Sequence, residues 1–296
     1  MAQESQEKRY RIGVDIGGTF TDFVVHDRTD GSVEGFKILT TPDAPSRAIF
    51  EGLNRLRERS GCLPEEVQVL VHATTLATNT IIEGTGARTA LVTSEGFRDI
   101  LEIRRENRYD DRDLTPLFPA PLVPRRLRHE VRERCLADGA VHVPLDEVGA
   151  RLKLAELGEM NVETIAISLL HSPVNAAHEK RLAEIAGEVV PHIPVSLSNE
   201  VQPEKREYER TSTTVANAYV QPQVRSYLDE LSANLADQGH EMPVYIMQSN
   251  GGFATPAETR LFPVRMIESG PAAGAIAAAS FGRNAGEDAL ISFDMG

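Results

Sequence analysis

Between Arg11 and Asp27 the chain reads RIGVDIGGTFTDFVVHD, two β-branched runs separated by Gly17, Gly18 and Thr19. Short β-branched runs broken by glycine read as strands, and a turn this tight makes them a β-hairpin. Glycine lacks a Cβ, takes positive φ at little cost and lets a ligand approach the backbone. Successive N–H groups in such a turn form a concavity suited to phosphate oxygens. Thr19 adds a hydroxyl, and Asp15, just before the turn, can hold hydrated Mg²⁺, a hard cation that prefers oxygen ligands. The same residues also describe an ordinary Gly-Gly turn beside a buried aspartate. Taken alone, the segment leaves both readings open.

A chain of 296 residues with 41% apolar content can bury two domains, or one large domain with a subdomain. Its net charge, 31 − 44 = −13, argues against nucleic acid or an anionic membrane as a main partner. It does not argue against ATP, whose charge a local turn and a metal can handle. Cys62 and Cys135 are far apart and in no C-x-x-C spacing, so neither a disulfide framework nor a thiolate zinc site is expected. The opening MAQESQEKRY has no apolar core and no run reaches membrane-spanning length, so the expected setting is the cytoplasm.

Further along, Val33 to Leu39 reads as a third strand. A helix follows from the Pro42–Pro45 region to about Arg59, with Ser46 as its N-cap, Gly61 at its end and Ile49, Leu53 and Leu56 on its buried face. Val67 to Val71 is nearly all apolar and reads as a buried strand. Three strands, a helix and a strand open an α/β, ribonuclease-H-like layer. Thr74, Thr75 and Asn79 then cluster where the edge of such a sheet meets ligands, though either threonine can equally cap the helix Leu76 to Glu83. His72 reads as a structural histidine. Gly84 to Thr89 resembles a truncated G-x-G-x-x-G but follows a helix, so it is no dinucleotide fingerprint.

Thr89 to Thr93 reads as a strand and Ser94 to Glu102 as a helix capped by Ser94. From Arg104 to Arg134, nine arginines and four prolines mark an exposed, irregular excursion and a candidate interface. Leu145–Leu157 and Ala176–Val189 read as helices, and Thr164–Leu170 and Val195–Leu197 as strands. Gln202 to Asp237 is mostly helical, tolerating Pro222, with the charge run EKREYER as a solvated face. Val244 to Gln248 ends in the small polar turn Ser249, Asn250, Gly251 and Gly252. Ser269, Gly270 and Pro271 open an Ala-rich helix, where free N–H groups can hold an anion or merely be capped.

The last residues, LISFDMG, repeat the strand-Asp-x-Gly pattern of IGVDIG, with Asp294 in the place of Asp15. Two such modules are what a nucleotide gripped from both sides requires. GVDIGGTFTDFV, HATTLATNTIIEGTGARTALVTSEGFRDILEI, QSNGG, ESGPAAG and FDMG, taken together, resemble the A subunit of the hydantoinase/5-oxoprolinase family. That resemblance spans essentially the whole chain. It implies an actin-like ATPase fold, a mixed sheet with helices on both faces, with the N-terminal domain at 8–195 and an incomplete second domain at 203–296, truncated at the start of the second actin-like domain.

The resemblance also implies ATP-dependent opening of a small cyclic amide such as a hydantoin or 5-oxoproline, through phosphorylation of the amide oxygen. A hydantoinase B-type subunit or domain would complete a hetero-oligomer. By the family pattern Gly17, Gly18, Thr19 and Thr21 bind phosphate, Asp294 with Gly296 begin the second phosphate loop, and Asp15 and Asp294 are the catalytic carboxylates and hold Mg²⁺ through water. A ketone carboxylase subunit and a non-catalytic nucleotide-binding assembly subunit are the alternative readings. Relatives of this type continue well past Gly296, so the expectation is a fragment that does not turn over ATP alone. No G-x-x-x-x-G-K-[ST], H-E-x-x-H or G-x-S-x-G occurs in the chain.

Overall fold

The computed structural model describes residues 8–41, 45–107, 110 and 112–293. In chain order the elements begin with β1 (Tyr10–Ile16), β2 (Phe20–Asp27), β3 (Val33–Leu39), α1 (Pro45–Ser60), β4 (Val67–Thr74), α2 (Leu76–Glu83), β5 (Thr89–Ser94) and α3 (Ile100–Ile103). There follow β6 (Arg128–Val131), β7 (Arg134–Cys135), β8 (Val141–Val143), α4 (Glu147–Glu159), β9 (Thr164–Ser168), α5 (Ala177–Val189), β10 (Val195–Leu197) and α6 (Ser198–Val201). The last are α7 (Glu207–Asp237), β11 (Val244–Met247), β12 (Phe253–Ala254), α8 (Pro256–Leu261) and α9 (Ser269–Ala285). They pack as two compact units, Met1–Glu83 with Val224–Gly296, and Gly84–Gln223. Packing thus groups the chain differently from the linear division at 195–203, because both ends contribute to the first unit.

The first unit is built on a six-stranded sheet in the order β12-β11-β4-β1-β2-β3. β1 is antiparallel to β2 and parallel to β4, and β4 is parallel to β11. Alternation decides which face is covered. Tyr10, Ile12, Val14 and Ile16 are buried, while Arg11 and Asp15 between them are exposed. α1 packs on the covered face, burying Ile49, Leu53 and Leu56. Burying an aliphatic side chain of this size stabilises by about 1.5–3 kcal/mol. Gly52 lets the helix come down onto Phe23, whose ring a Cβ there would meet at 2.0 Å. Gly61, in the left-handed region at φ 69°, closes α1 by donating to the Arg57 carbonyl at 2.9 Å. Ser46 does not cap α1: it lies inside the helix and its hydroxyl bonds Glu230 at 2.5 Å.

The second unit holds a four-stranded sheet in the order β10-β9-β5-β6, parallel throughout. Every residue of β5 and β9 is buried, as expected for strands covered on both faces. Leu154, Leu157, Leu182 and Ile185 of α4 and α5 belong to the same core.

Two sequence expectations fail here. The helix expected from Ser94 is only the single turn of α3. Ser94 instead ends β5, pairs with Val131 and is followed by Gly96 at φ 91°, which no helix accommodates. The arginine-rich excursion is not irregular throughout, because Arg128 to Val131 forms the edge strand β6.

The charge run before Thr211 is not uniformly solvated either. Arg210 is 1% exposed and donates to the Leu169 and Glu204 carbonyls at 2.9 Å each and to Ser198 Oγ at 3.1 Å. The buried Glu179 lies in the same network. It accepts from Ser198 Oγ at 2.6 Å and from the Leu169 and Asn199 N–H groups at 2.8 and 2.9 Å. Burial nonetheless raises the Glu179 carboxyl above its ordinary range. α7 continues through Pro222. Among the described residues, no helix is long and apolar enough to cross a membrane.

Candidate functional site at the carboxyl edge of the first sheet

Because β1, β4 and β11 are parallel, their carboxyl ends lie along one edge of the sheet. From that edge emerge the Gly17–Thr19 turn, the Thr74–Asn79 segment and the Ser249–Gly252 turn. Ligands of open α/β sheets bind at this kind of edge.

The first turn is braced from within. Gly17 N–H donates to the Phe20 carbonyl at 3.0 Å, and Thr40 N–H donates to Thr19 O at 2.9 Å. The Thr40 hydroxyl donates to Gly17 O at 2.9 Å and accepts from Thr21 Oγ1 at 2.9 Å. Thr21 is fully buried, so its hydroxyl steadies the turn rather than reaching outward. Neither Gly17 nor Gly18 adopts the left-handed conformation anticipated from the motif. What Gly18 offers instead is room: a Cβ there would meet nothing within 4 Å. At Gly17 it would come 3.2 Å from the Phe20 carbonyl. Thr19 is exposed.

Asp15, exposed near the end of β1, lines a cleft of about 210 Å³ on the face of the sheet opposite α1. Gly13, Val71, Ala73 and Met247 form its floor, with Ala273 of α9 on one wall. Asp22, also in the cleft, is paired with Lys37 at 2.8 Å. Asp294 and Gly296 lie outside the described residues.

Beside this turn, the Thr74 hydroxyl accepts from Leu76 N–H at 3.2 Å, and Thr75 Oγ1 accepts from Asn79 Nδ2 at 3.2 Å. These are capping contacts at the start of α2. Thr75 N–H donates to Ile16 O at 3.4 Å, which joins the two segments. On the far strand, Asn250 Oδ1 accepts from Gly252 N–H at 2.8 Å. Gly251 sits at φ 82°, in the left-handed region that favours glycine, and a Cβ on it would press on the tip of Ile276 at 2.6 Å. The Ser249 hydroxyl lies 2.7 Å from Arg265 O and 2.5 Å from Ile267 O, holding the turn to the segment that leads into α9.

At the start of α9, Glu268 is left-handed at φ 60° and donates its N–H to Thr78 Oγ1 at 3.2 Å. Ser269 is 1% exposed, and its hydroxyl has no hydrogen-bond partner among the described residues. Gly270 has open space where a Cβ would be. The structure therefore gathers Gly17, Gly18, Thr19, Thr74, Thr75, Asn79, Ser249–Gly252, Ser269 and Gly270 within one unit. Sequence reading missed Thr40, which lies in none of the motifs, and Thr78, which lies within the motif that begins at His72 but carried no signal of its own.

His72 is structural, as its sequence context indicated. It is fully buried, with Nδ1 3.4 Å from the Val14 carbonyl and Nε2 2.6 Å from the Tyr227 hydroxyl. Burial pushes its pKa down to about 4.

The hydantoinase/oxoprolinase N-terminal region pattern matches residues 11–190, and the hydantoinase/oxoprolinase pattern matches residues 210–296. The chain belongs to the hydantoinase/oxoprolinase family. It is 36% identical to the caprolactamase subunit alpha of Pseudomonas jessenii, over 98% of this chain and 42% of that subunit. It is 31% identical to 5-oxoprolinase 1 of Arabidopsis thaliana, over 98% of this chain and 25% of that protein. The solved ATP-dependent caprolactamase of Pseudomonas jessenii superposes with a TM-score of 0.87, over 97% of this chain and 42% of that one. The nucleotide-free acetone carboxylase superposes at 0.85 with 29% identity, over 94% of this chain and 41% of that one. The fold is accordingly the α/β, actin-like one that the motifs implied, and the chain spans less than half the length of these relatives.

Proposed function

We propose that this chain is the nucleotide-gripping part of an ATP-dependent cyclic-amide hydrolase, acting on a hydantoin, 5-oxoproline or a similar lactam. An amide carbon is a weak electrophile, and ATP would supply the phosphoryl group that converts the amide oxygen into a leaving group.

The observation that carries the reading is the meeting, at one sheet edge, of the Gly17–Thr19 turn, the Ser249–Gly252 turn and the N-terminus of a long helix. Backbone N–H groups at Gly18 and Thr19 would take phosphate oxygens, since Gly18 leaves the approach open. Asp15, with Asp294 from the second module, would hold Mg²⁺ through water, because hard carboxylate oxygens suit that ion. The α9 N-terminus, with the Ser269 hydroxyl that has no partner among the described residues, would take an anionic group on the other side of the cleft. Thr40 and Thr21 would keep the turn rigid, which matters because phosphoryl transfer depends on positioning.

The caprolactamase relative is a subunit, which supports a hetero-oligomer; in it a hydantoinase B-type partner would complete hydrolysis. The likeness to acetone carboxylase favours one competing reading, a ketone carboxylase subunit using the same activation on an enolate.

The test is phosphate release from ATP by the longer chain with its B-type partner, comparing 5-oxoproline, caprolactam and hydantoin with ketone plus bicarbonate. Release driven by a cyclic amide and independent of bicarbonate is expected. Release driven only by ketone and bicarbonate would move the protein to the carboxylase reading.

A further inference from the structure

Within the Gly84–Gln223 unit, three metal-ligating side chains meet away from the site above. Glu133 precedes β7, Cys135 lies on β7 and His178 lies in the first turn of α5. One ligand atom from each lies within 4.8 Å of the others. Glu133 and Cys135 are 2% and 1% exposed. We propose that Glu133, Cys135 and His178 bind a divalent cation of the zinc class, through a thiolate, an imidazole Nδ1 and a carboxylate.

The geometry fits with little movement. Tetrahedral zinc with its usual bond lengths separates S from N by about 3.5 Å and N from O by about 3.3 Å. Here Cys135 Sγ is 3.6 Å from His178 Nδ1, and that Nδ1 is 2.7 Å from Glu133 Oε2. Both neighbours converge on the same ring nitrogen, so a cation replaces the proton it would otherwise share with them.

Charge points the same way. Glu133 is a buried carboxylate that pairs with no lysine or arginine among the described residues; its partner is His178. A buried carboxylate without a cation carries a heavy desolvation penalty, which a metal offsets. The other Glu133 oxygen is held by the Ser94 hydroxyl, and Ser94 Oγ accepts from Leu170 N–H at 2.9 Å. Outer-sphere bonds of this kind orient a metal-binding carboxylate. Three protein ligands leave a fourth position to water. The spacing in sequence concealed the site, since His178 lies 43 positions beyond Cys135 and no C-x-x-C is involved.

The experiment is titration of the chelator-treated chain with Co²⁺, read by the thiolate-to-cobalt charge-transfer band in the near ultraviolet. One equivalent should produce the band, and one equivalent of Zn²⁺ should abolish it. The band should survive Cys62→Ser and vanish in Cys135→Ser. His178→Gln keeps the thiol, and should weaken Co²⁺ binding by about tenfold or more, since even outer-sphere partners contribute that much. No band in a wild-type chain with an intact circular dichroism spectrum would overturn the proposal. So would a band that persists without Cys135 or that depends on Cys62.

Discussion

Acid should loosen the first unit through His72, by an amount the structure sets. Nδ1 faces the Val14 carbonyl and therefore carries the hydrogen, leaving Nε2 to accept from the Tyr227 phenol. A second proton would place a charge in a fully buried position. The folded-state pKa of about 4 lies below the ordinary 6.5, so the unfolded chain takes up the proton first as pH falls. The stabilisation is complete above about pH 6.5 and is lost progressively down to about pH 4. At about 1.4 kcal/mol per pH unit that window corresponds to a loss of about 3 kcal/mol. The assay is urea unfolding followed by circular dichroism at stepped pH, for the wild type and His72→Gln. Carboxylates titrate alike in both proteins, so the difference between the two slopes isolates the imidazole. Tyr227→Phe adds a second handle, because it strands a buried acceptor and should cost about 1–3 kcal/mol at neutral pH. Equal slopes for wild type and His72→Gln across the window would refute the reasoning.

Arg210→Met should destabilise the second unit by about 1–3 kcal/mol or more, since it leaves the Leu169 and Glu204 carbonyls without their donor and removes a positive charge that acts on the buried Glu179. A urea midpoint unchanged from wild type would contradict the buried network. Gly52→Ala should cost about 1–3 kcal/mol through overpacking against Phe23, although alanine favours the helix intrinsically. A stabilised Gly52→Ala variant would show that Phe23 yields freely.

What could be read from the sequence was local. The bounds of the first hairpin and of Val33–Leu39 follow from alternation and glycine punctuation, and α2 from its flanking polar residues. What could not be read depends on partners distant in sequence. Ser94 continues a strand because Val131 pairs with it, and β6 exists because β5 offers an edge. Arg210 looks solvated in its charge run, yet Ser198, Leu169 and Glu204 supply acceptors that make burial possible. At the site, the glycines and small polar residues of the three turns were legible from their motifs. The bracing by Thr40 and the docking of Glu268 on Thr78 were not, because each joins segments far apart in the chain. Thr21 shows the limit of a motif, which can mark a residue without saying which way its side chain faces.

The central claim is that the carboxyl edge of β1, β4 and β11 grips a nucleotide. Calorimetric titration of Mg-ADP into wild type and Gly18→Val tests it most directly. A Cβ at Gly18 would meet nothing within 4 Å and the position is not left-handed, so the fold should tolerate a side chain there. The expected result is binding by the wild type, weakened by about tenfold or more in the variant through loss of backbone access for phosphate, with the urea midpoint unchanged. Equal affinity in the two proteins would contradict the account.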